Sequence, residues 1–142
     1  MKKILIATHG HMASGVKSVA KILLRDDSAI TAVDCYVDES DFTPKVTAWI
    51  DSVTPEDDAV IFTDLLGGSV CNKIASLKPE EKGIVHVTGF NLAIVLECLI
   101  SADPITAESI DTAIASASKL MQRIELPKED AQGSASDDDF FA

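Results

Sequence analysis

Short apolar runs alternate with longer stretches of helical periodicity along most of the chain. The runs are rich in β-branched and aliphatic residues, as is typical of parallel strands buried on both faces, and they occupy residues 3–7, 29–37, 59–63 and 84–88. Apolar residues at intervals of three or four predict a first helix over about residues 11–24. Four further predicted helices have their apolar positions within residues 42–53, 70–77, 92–99 and 110–121.

This alternation predicts an α/β fold, an open doubly wound sheet of four parallel strands with helices on both faces. The flavodoxin-like strand order 2-1-3-4 makes strands one and three neighbours at the switch point. Residues 123–126 have the pattern of a short terminal strand. We expect residues 1–126 to form one domain, and residues 127–142 to form an acidic, flexible tail because they contain little apolar material.

Composition excludes several classes of function. The net charge is −11, and five of the acidic residues follow Lys128, so nucleic acid and anionic lipid are unfavourable main partners. The three cysteines, Cys35, Cys71 and Cys98, lack metal-ligand spacing, and we interpret them as reduced thiols of a cytoplasmic protein without a metal site. No apolar run approaches the roughly 20 residues that a membrane span needs, and no N-terminal signal segment is evident.

The candidate chemistry lies where strands one and three end. His9 and Asp64 follow these strands, and a carboxylate beside an imidazole fixes its tautomer and leaves the other ring nitrogen free to attack. The segment Gly67-Gly68-Ser69 precedes a predicted helix, where backbone N–H groups favour an anion such as phosphate. Together, these residues suggest phosphoryl transfer through phosphohistidine.

Each of these residues also has a structural interpretation. His9 could be a packing residue, Asp64 a turn residue and Ser69 a helix N-cap. His11 is a rival nucleophile, although its place in the first helical turn predicts that its side chain points elsewhere. His86 lies inside strand four and is interpreted as a hydrogen-bonded packing residue. Two asparagines near helix starts either cap those helices or line the site: Asn72 and Asn91.

Three motifs together resemble the mannose-family IIA domain of the bacterial sugar phosphotransferase system, over roughly residues 1–126. They are Ile6-Ala-Thr8-His9-Gly10 with Ala13-x-Gly15, then Phe62-x-Asp64-Leu-Leu66-Gly67-Gly68-Ser69-x-x-Asn72, and Gly89-x-Asn91-Leu92. The sequence departs from the family at two positions that are commonly proline, which here are Val70 and Ala93.

The resemblance implies a cytoplasmic phosphocarrier that needs no cofactor. On this interpretation His9 accepts phosphate from the phosphorylated carrier protein HPr and passes it to a IIB domain, which phosphorylates the sugar during uptake through the membrane IIC and IID components. Asp64 would hold His9, and Ser69 would lie beside the phosphate. The resemblance also implies a homodimer that exchanges a final antiparallel strand, for which residues 123–126 are the candidate. Further candidates for lining the site are Thr8, Gly10, Leu66, Asn72 and Asn91.

Three rival functions are weaker. The phosphotransfer subunit of dihydroxyacetone kinase has a similar beginning but usually lacks the Gly-Gly-Ser form found at residues 67–69. A Ser-His-Asp hydrolase would use Ser69, yet Gly67-x-Ser69-x-Cys71 lacks the final glycine of a nucleophile elbow. A receiver domain needs an acidic pair after strand one to hold magnesium, and the chain has His9-Gly10 there.

Overall fold

A computed structural model describes residues 1–127 of the chain. Four strands form one sheet: β1 (Lys2–His9), β2 (Ile30–Cys35), β3 (Asp58–Thr63) and β4 (Val85–Thr88). Five α-helices connect or follow them: α1 (Met12–Leu24), α2 (Thr43–Ser52), α3 (Ser69–Ser76), α4 (Leu92–Ile100) and α5 (Ala107–Ser118). A 3₁₀ turn at Pro79–Lys82 precedes β4.

The strands are parallel and lie in the order β2-β1-β3-β4. The predicted doubly wound fold and its strand order are therefore confirmed. In the register of the sheet, Ala7 is opposite Val33 on β2 and Thr63 on β3. The ends of β1 and β3 thus lie side by side, as the switch-point argument requires.

Two apolar cores cover the two faces of the sheet. Ile4, Ile6 and Phe62 pack with α1, α4 and α5 on one face. Leu5 and Ile61 pack with α2 and α3 on the other. Successive side chains of a strand point to opposite faces, which is why residues 4–7 are all fully buried. This double burial fixes the central strands and, with them, the positions where they end.

Residues 121–127 have no regular secondary structure in the single chain, and Ile124 and Leu126 are exposed. The exchanged C-terminal strand and the homodimer remain predictions. The predicted acidic tail falls almost entirely on residues 128–142, which lie outside the described part of the chain. Within residues 1–127, no helix is both long and apolar enough to cross a bilayer.

Candidate functional site

The candidate site lies at the carboxyl edge of the sheet, between the ends of β1 and β3. His9 is the last residue of β1, and Asp64 directly follows β3. Gly10 turns the chain towards α1 with a φ of 61°, a left-handed conformation that glycine adopts without steric cost. Its N–H donates to the carbonyl of Cys35 at the end of β2. This turn leaves the side chain of His9 41% exposed at the sheet edge.

Asp64 holds His9 at two points. Its Oδ2 atom accepts the backbone N–H of His9 and lies 2.9 Å from the ring Nδ1. Its Oδ1 atom accepts the backbone N–H of Leu65 at 3.0 Å. Because an ionised carboxylate only accepts hydrogen bonds, Nδ1 of His9 carries the proton. In the neutral ring, the lone pair is then on Nε2.

The environment of Asp64 keeps it ionised. Burial raises the pKa of this carboxyl, since the side chain is only 12% exposed. Hydrogen bonds from the backbone and ring of His9, together with the charge of that ring, lower it more. The net result is a pKa below the ordinary value of 3.8. Asp64 is therefore a fixed negative charge behind the imidazole at neutral pH.

The loop after β3 brings Ser69 to the other ring nitrogen. Ser69 Oγ lies 3.3 Å from Nε2 of His9. Gly67 has a φ of 75°, and its carbonyl accepts a hydrogen bond from the side-chain amide of Asn72. Gly68 is the N-cap of α3, which starts at Ser69. The first N–H groups of a helix lack intrahelical partners, so α3 directs free donors and the positive end of its dipole towards this region.

Gly68 has little room for a side chain. An added Cβ would lie 3.1 Å from Leu65 Cβ, 3.2 Å from the Leu65 carbonyl oxygen and 3.6 Å from His9 Cε1. We expect Gly68→Ala to shift the loop and to lower the phosphoryl transfer that the sequence predicts for His9 at least about 10-fold, because displacements near 1 Å at a reacting group can cost up to about 100-fold. Gly15→Ala is the matched control, since an added Cβ there meets nothing within 4 Å.

Gly15 lies inside α1, so its replacement by alanine should stabilise the fold by about 0.5–1 kcal/mol and leave transfer unchanged. Denaturant unfolding and single-turnover phosphorylation of both variants would check this pair. Transfer at the wild-type rate by Gly68→Ala would show that the loop tolerates a side chain beside His9.

The remaining candidate residues have different positions. Thr8 is fully buried, and its hydroxyl accepts the N–H of Ala13 at the start of α1. Leu66 is 86% exposed on the loop after Asp64. Asn91 caps α4 by accepting the Ile94 N–H, and its amide donates to the carbonyl of Ala117 on α5. Its hydrogen bonds are thus structural, whereas Asn72 supports the loop of the site.

A second histidine–aspartate pair lies next to the first. His11 Nδ1 is 3.0 Å from Asp34 Oδ2, and Ser14 donates both its backbone N–H and its hydroxyl to Asp34. Burial raises the pKa of Asp34, but the bonds from Ser14 and His11 lower it more, to below its ordinary value. The His11 side chain is 78% exposed. This pair joins the start of α1 to the end of β2.

His86 is a packing residue with a hydrogen bond, as its place inside β4 predicts. Its Nε2 is 2.9 Å from the Thr63 hydroxyl. Burial lowers the pKa of His86, although the charge of Glu80 opposes this effect. A neutral ring that is bonded within the sheet offers no nucleophile at the surface.

Cys35, which ends β2 close to the site, is unsuited to nucleophilic chemistry. Cys35, Cys71 and Cys98 are free and buried in the described part of the chain. Burial, with the charges of Asp64 and Asp34, raises the pKa of the Cys35 thiol to about 11. Its thiol is therefore protonated at neutral pH although it ends β2 close to the site. Residues 1–127 contain no group of three or more His, Cys, Asp or Glu side chains arranged to hold a metal ion.

Sequence reasoning missed one aromatic residue at the site. Tyr36 stacks on the imidazole of His9, with ring centroids 5.3 Å apart and planes 28° apart. The predicted second strand runs through residue 37, so the prediction makes Tyr36 an ordinary strand residue. In the structure β2 ends at Cys35, so Tyr36 is the first residue beyond a strand end, like His9 and Asp64. A position directly after a strand end, at the same edge of the sheet, is the sequence feature that could have indicated Tyr36 as a site residue.

Comparison with known proteins identifies the family. The family model EIIA-man, which describes the fructose IIA component of the phosphotransferase system (PTS), matches residues 3–117. The chain belongs to this family. The matched region of this IIA component includes every candidate site residue described above. No curated protein sequence matches the chain significantly.

Solved structures of other phosphotransferase-system (PTS) proteins have the same fold. A candidate phosphoenolpyruvate-dependent sugar PTS permease from Klebsiella pneumoniae is 27% identical, with a TM-score of 0.75, 86% of this chain covered and 90% of that one. The mannose/sorbose-specific IIA subunit from Enterococcus faecalis is 23% identical, with a TM-score of 0.74. The match covers 92% of this chain and 100% of that one. A IIA protein associated with the fucose utilization operon of Streptococcus pneumoniae is 20% identical, with a TM-score of 0.72. The match covers 86% of this chain and 92% of that one.

Proposed function

We propose that this IIA component is a cytoplasmic phosphocarrier that accepts a phosphoryl group from phospho-HPr on Nε2 of His9. It then passes the group to a IIB domain. The observation that carries the proposal is the arrangement around one imidazole, with a carboxylate at Nδ1 and a hydroxyl and helix N-terminus at Nε2. This arrangement leaves a lone pair at Nε2 and has the Ser69 hydroxyl and the α3 N-terminus beside it, which supports the proposal.

The transfer step follows from these contacts. The Nε2 lone pair attacks phosphorus in line, and the N–P bond of the donor phosphohistidine breaks, so that its electron pair stays on the donor imidazole. The His9 ring becomes positive and keeps its Nδ1 proton in the hydrogen bond to Asp64. Transfer to a IIB domain repeats the step with His9 as the leaving group. Donors near Gly68 and Ser69 stabilise the charge on the phosphoryl oxygens.

The surface around His9 suits a protein partner. Two leucines of the loop after β3 are exposed, Leu65 at 59% and Leu66 at 86%, and Met12 at the start of α1 is 47% exposed. Exposed apolar side chains beside a reactive group are typical of interaction surfaces. A small-molecule substrate would not need this open apolar rim, whereas HPr and a IIB domain must each dock and leave.

The direct test is phosphorylation from phosphoenolpyruvate through Enzyme I and HPr, followed by intact mass at neutral to basic pH. We expect one phosphoryl group per chain, lost on mild acid treatment and transferred to an added IIB domain. An acid-stable phosphate, or none, would contradict a phosphohistidine carrier.

Ser69→Ala should reduce transfer without abolishing it. The hydroxyl donates to Nε2 in the resting site and can turn to a phosphoryl oxygen after transfer. Loss of one such donor costs about 100-fold in comparable sites. The measurement is the single-turnover rate from phospho-HPr, with Ser76→Ala as control because Ser76 donates to the carbonyl of Lys73 within α3. Complete loss in Ser69→Ala would instead suit a serine nucleophile.

One observation favours a second candidate, a hydrolase. Ser69, His9 and Asp64 form a continuous Ser-His-Asp line with separations of 3.3 Å and 2.9 Å. However, Ser69 begins a helix after Gly67-Gly68, which suits an anion-binding residue better than a nucleophile elbow. A serine-directed phosphonate separates the two functions. Stoichiometric labelling of Ser69 would support the hydrolase, and no labelling is expected for the carrier.

A further inference from the structure

Tyr36 has a backbone conformation that its residue type does not favour. Its φ is 63°, in the left-handed region that L-residues with a side chain beyond Cβ rarely adopt. Arg25 and Lys78 share this conformation, but Arg25 is the C-cap of α1 and Lys78 directly follows the C-cap of α3, positions where it is common. Tyr36 instead follows a strand. Glycine or asparagine would fit this position better, so the tyrosine ring needs a reason to be there.

The ring is held by three partners. It stacks on His9 with a centroid separation of 5.3 Å. It also meets Phe42 edge-on, with centroids 5.6 Å apart and planes at 80°. Phe42 is 5% exposed and belongs to the core beneath α2. The ammonium of Lys73 lies 5.9 Å from the Tyr36 centroid and 5.1 Å from that of Phe42. The core thus supports an aromatic ring that is itself half exposed.

The stack complements the other contacts of His9. Asp64 fixes the ring at Nδ1, but this contact alone permits rotation of the imidazole plane about the direction of the hydrogen bond. A stacked ring removes that freedom and directs Nε2 towards Ser69. The π face of tyrosine also attracts a cation, so it favours the imidazole when the ring is positive.

We propose that Tyr36 is a positioning residue, whose ring sets the plane of the His9 imidazole and stabilises that ring while it carries the phosphoryl group. The inference rests on the proposed function. The positive ring arises when Nε2 forms the N–P bond and Nδ1 keeps its proton. Tyr36 acts in that state, without contacting the phosphoryl group, in both acceptance from HPr and donation to a IIB domain.

Two substitutions test the proposal. Tyr36→Asn removes the ring and suits the left-handed backbone, because asparagine tolerates it, so the relief of backbone strain offsets part of the lost packing and the variant should fold. Tyr36→Phe keeps the ring and removes the hydroxyl. Val37→Ala, at the exposed neighbouring position, is the matched control. Each variant would be compared for the rate and equilibrium of transfer from phospho-HPr and for hydrolysis of its phosphorylated form.

We expect Tyr36→Asn to transfer about 10-fold more slowly and to be less phosphorylated at equilibrium with HPr. Tyr36→Phe should retain transfer, as should Val37→Ala. NMR of the His9 ring should show a single ring orientation in wild type and Tyr36→Phe, and exchange between ring orientations in Tyr36→Asn, with Nδ1 protonated in all three because Asp64 still accepts from it. A role in folding alone would move neither the equilibrium nor these ring signals.

Three outcomes would overturn the inference. Wild-type transfer and ring signals in Tyr36→Asn would show that the stack affects neither the rate of transfer nor the orientation of the His9 ring. An equal loss in Tyr36→Phe would assign the effect to the hydroxyl. If wild type accepts no phosphate at all, the proposed function fails and the inference fails with it. In the first two cases wild type is phosphorylated and the proposed function stands.

Discussion

His9→Ala should accept no phosphoryl group from phosphoenolpyruvate in the presence of Enzyme I and HPr. The variant lacks the only ring that combines a carboxylate at Nδ1 with donors at Nε2 among residues 1–127. The Cys35 thiol cannot replace it, because that thiol is protonated and buried. Intact mass after a long incubation checks this expectation, and the loss should exceed that of any other single substitution.

His11→Ala is the matched control for this experiment. His11 has a carboxylate partner at 3.0 Å, as His9 has, so it tests whether a histidine–aspartate pair alone suffices. Its contacts involve Asp34 and the start of α1, and Ser69 faces His9 instead. We therefore expect His11→Ala to be phosphorylated like wild type. Phosphate on His9→Ala that disappears in the double variant would make His11 the carrier residue and contradict the proposal.

The fold was predictable because its strands are buried on both faces. Residues 4–7 form one apolar run, and the structure leaves none of them exposed. Parallel strands with helices between them restrict the connections to right-handed crossovers. Once the strand order is known, the residues after β1 and β3 must be neighbours. His9 and Asp64 come together for this reason, although 54 residues separate them in the sequence.

The inward faces of the helices were less predictable. In α4 nearly every residue is apolar, so periodicity does not select one face. The pattern predicts four inward residues on this helix: Leu92, Val95, Leu96 and Leu99. The structure buries Val95 and packs the partly buried Leu99 against the core. It also buries Ile94 and Cys98, and it leaves Leu92 38% exposed. In such a helix the packing partners decide its rotation about its axis, and these are tertiary information.

The part of the site that sequence reasoning missed depends on one backbone angle. Residues 29–37 are β-branched and aromatic enough to predict a continuous strand, but the left-handed φ of Tyr36 ends it. No propensity favours that conformation for tyrosine. The contacts of its ring with His9, Phe42 and Lys73 are tertiary, and they join residues from three separate parts of the chain.

Asp64→Asn should lower the rate of phosphoryl transfer by about 100-fold to 10,000-fold while leaving some activity. An asparagine amide can donate a hydrogen bond to Nδ1, which favours the tautomer with its proton on Nε2. That tautomer has no lone pair at the attacking nitrogen. The amide also brings no charge to balance the positive ring of phosphorylated His9. Single-turnover transfer from phospho-HPr checks this, and a wild-type rate would exclude Asp64 from the mechanism.

The same substitution should change how stability depends on pH. The pKa of Asp64 in the folded chain is below its ordinary value of 3.8. Its contacts therefore contribute fully to folding stability when the pH is well above 3.8. They are lost as pH falls through the lower, folded pKa. The stability that wild type gains from the Asp64 carboxylate over Asp64→Asn should be fully present above about pH 5 and should shrink towards pH 2. Denaturant titrations at several pH values measure it.

Asp34→Asn separates the effect of a carboxylate on phosphoryl transfer from its effect on stability. Asp34 also has a lowered pKa and a histidine partner, so its replacement should remove a similar acid-sensitive contribution to stability. It should not slow transfer, because His11 does not accept the phosphoryl group on the proposed mechanism. If both asparagine variants lose stability in the same pH range but only Asp64→Asn loses transfer, the effect of Asp64 is chemical. Equal loss of transfer in both would mean that the carboxylates act by holding the strand ends together.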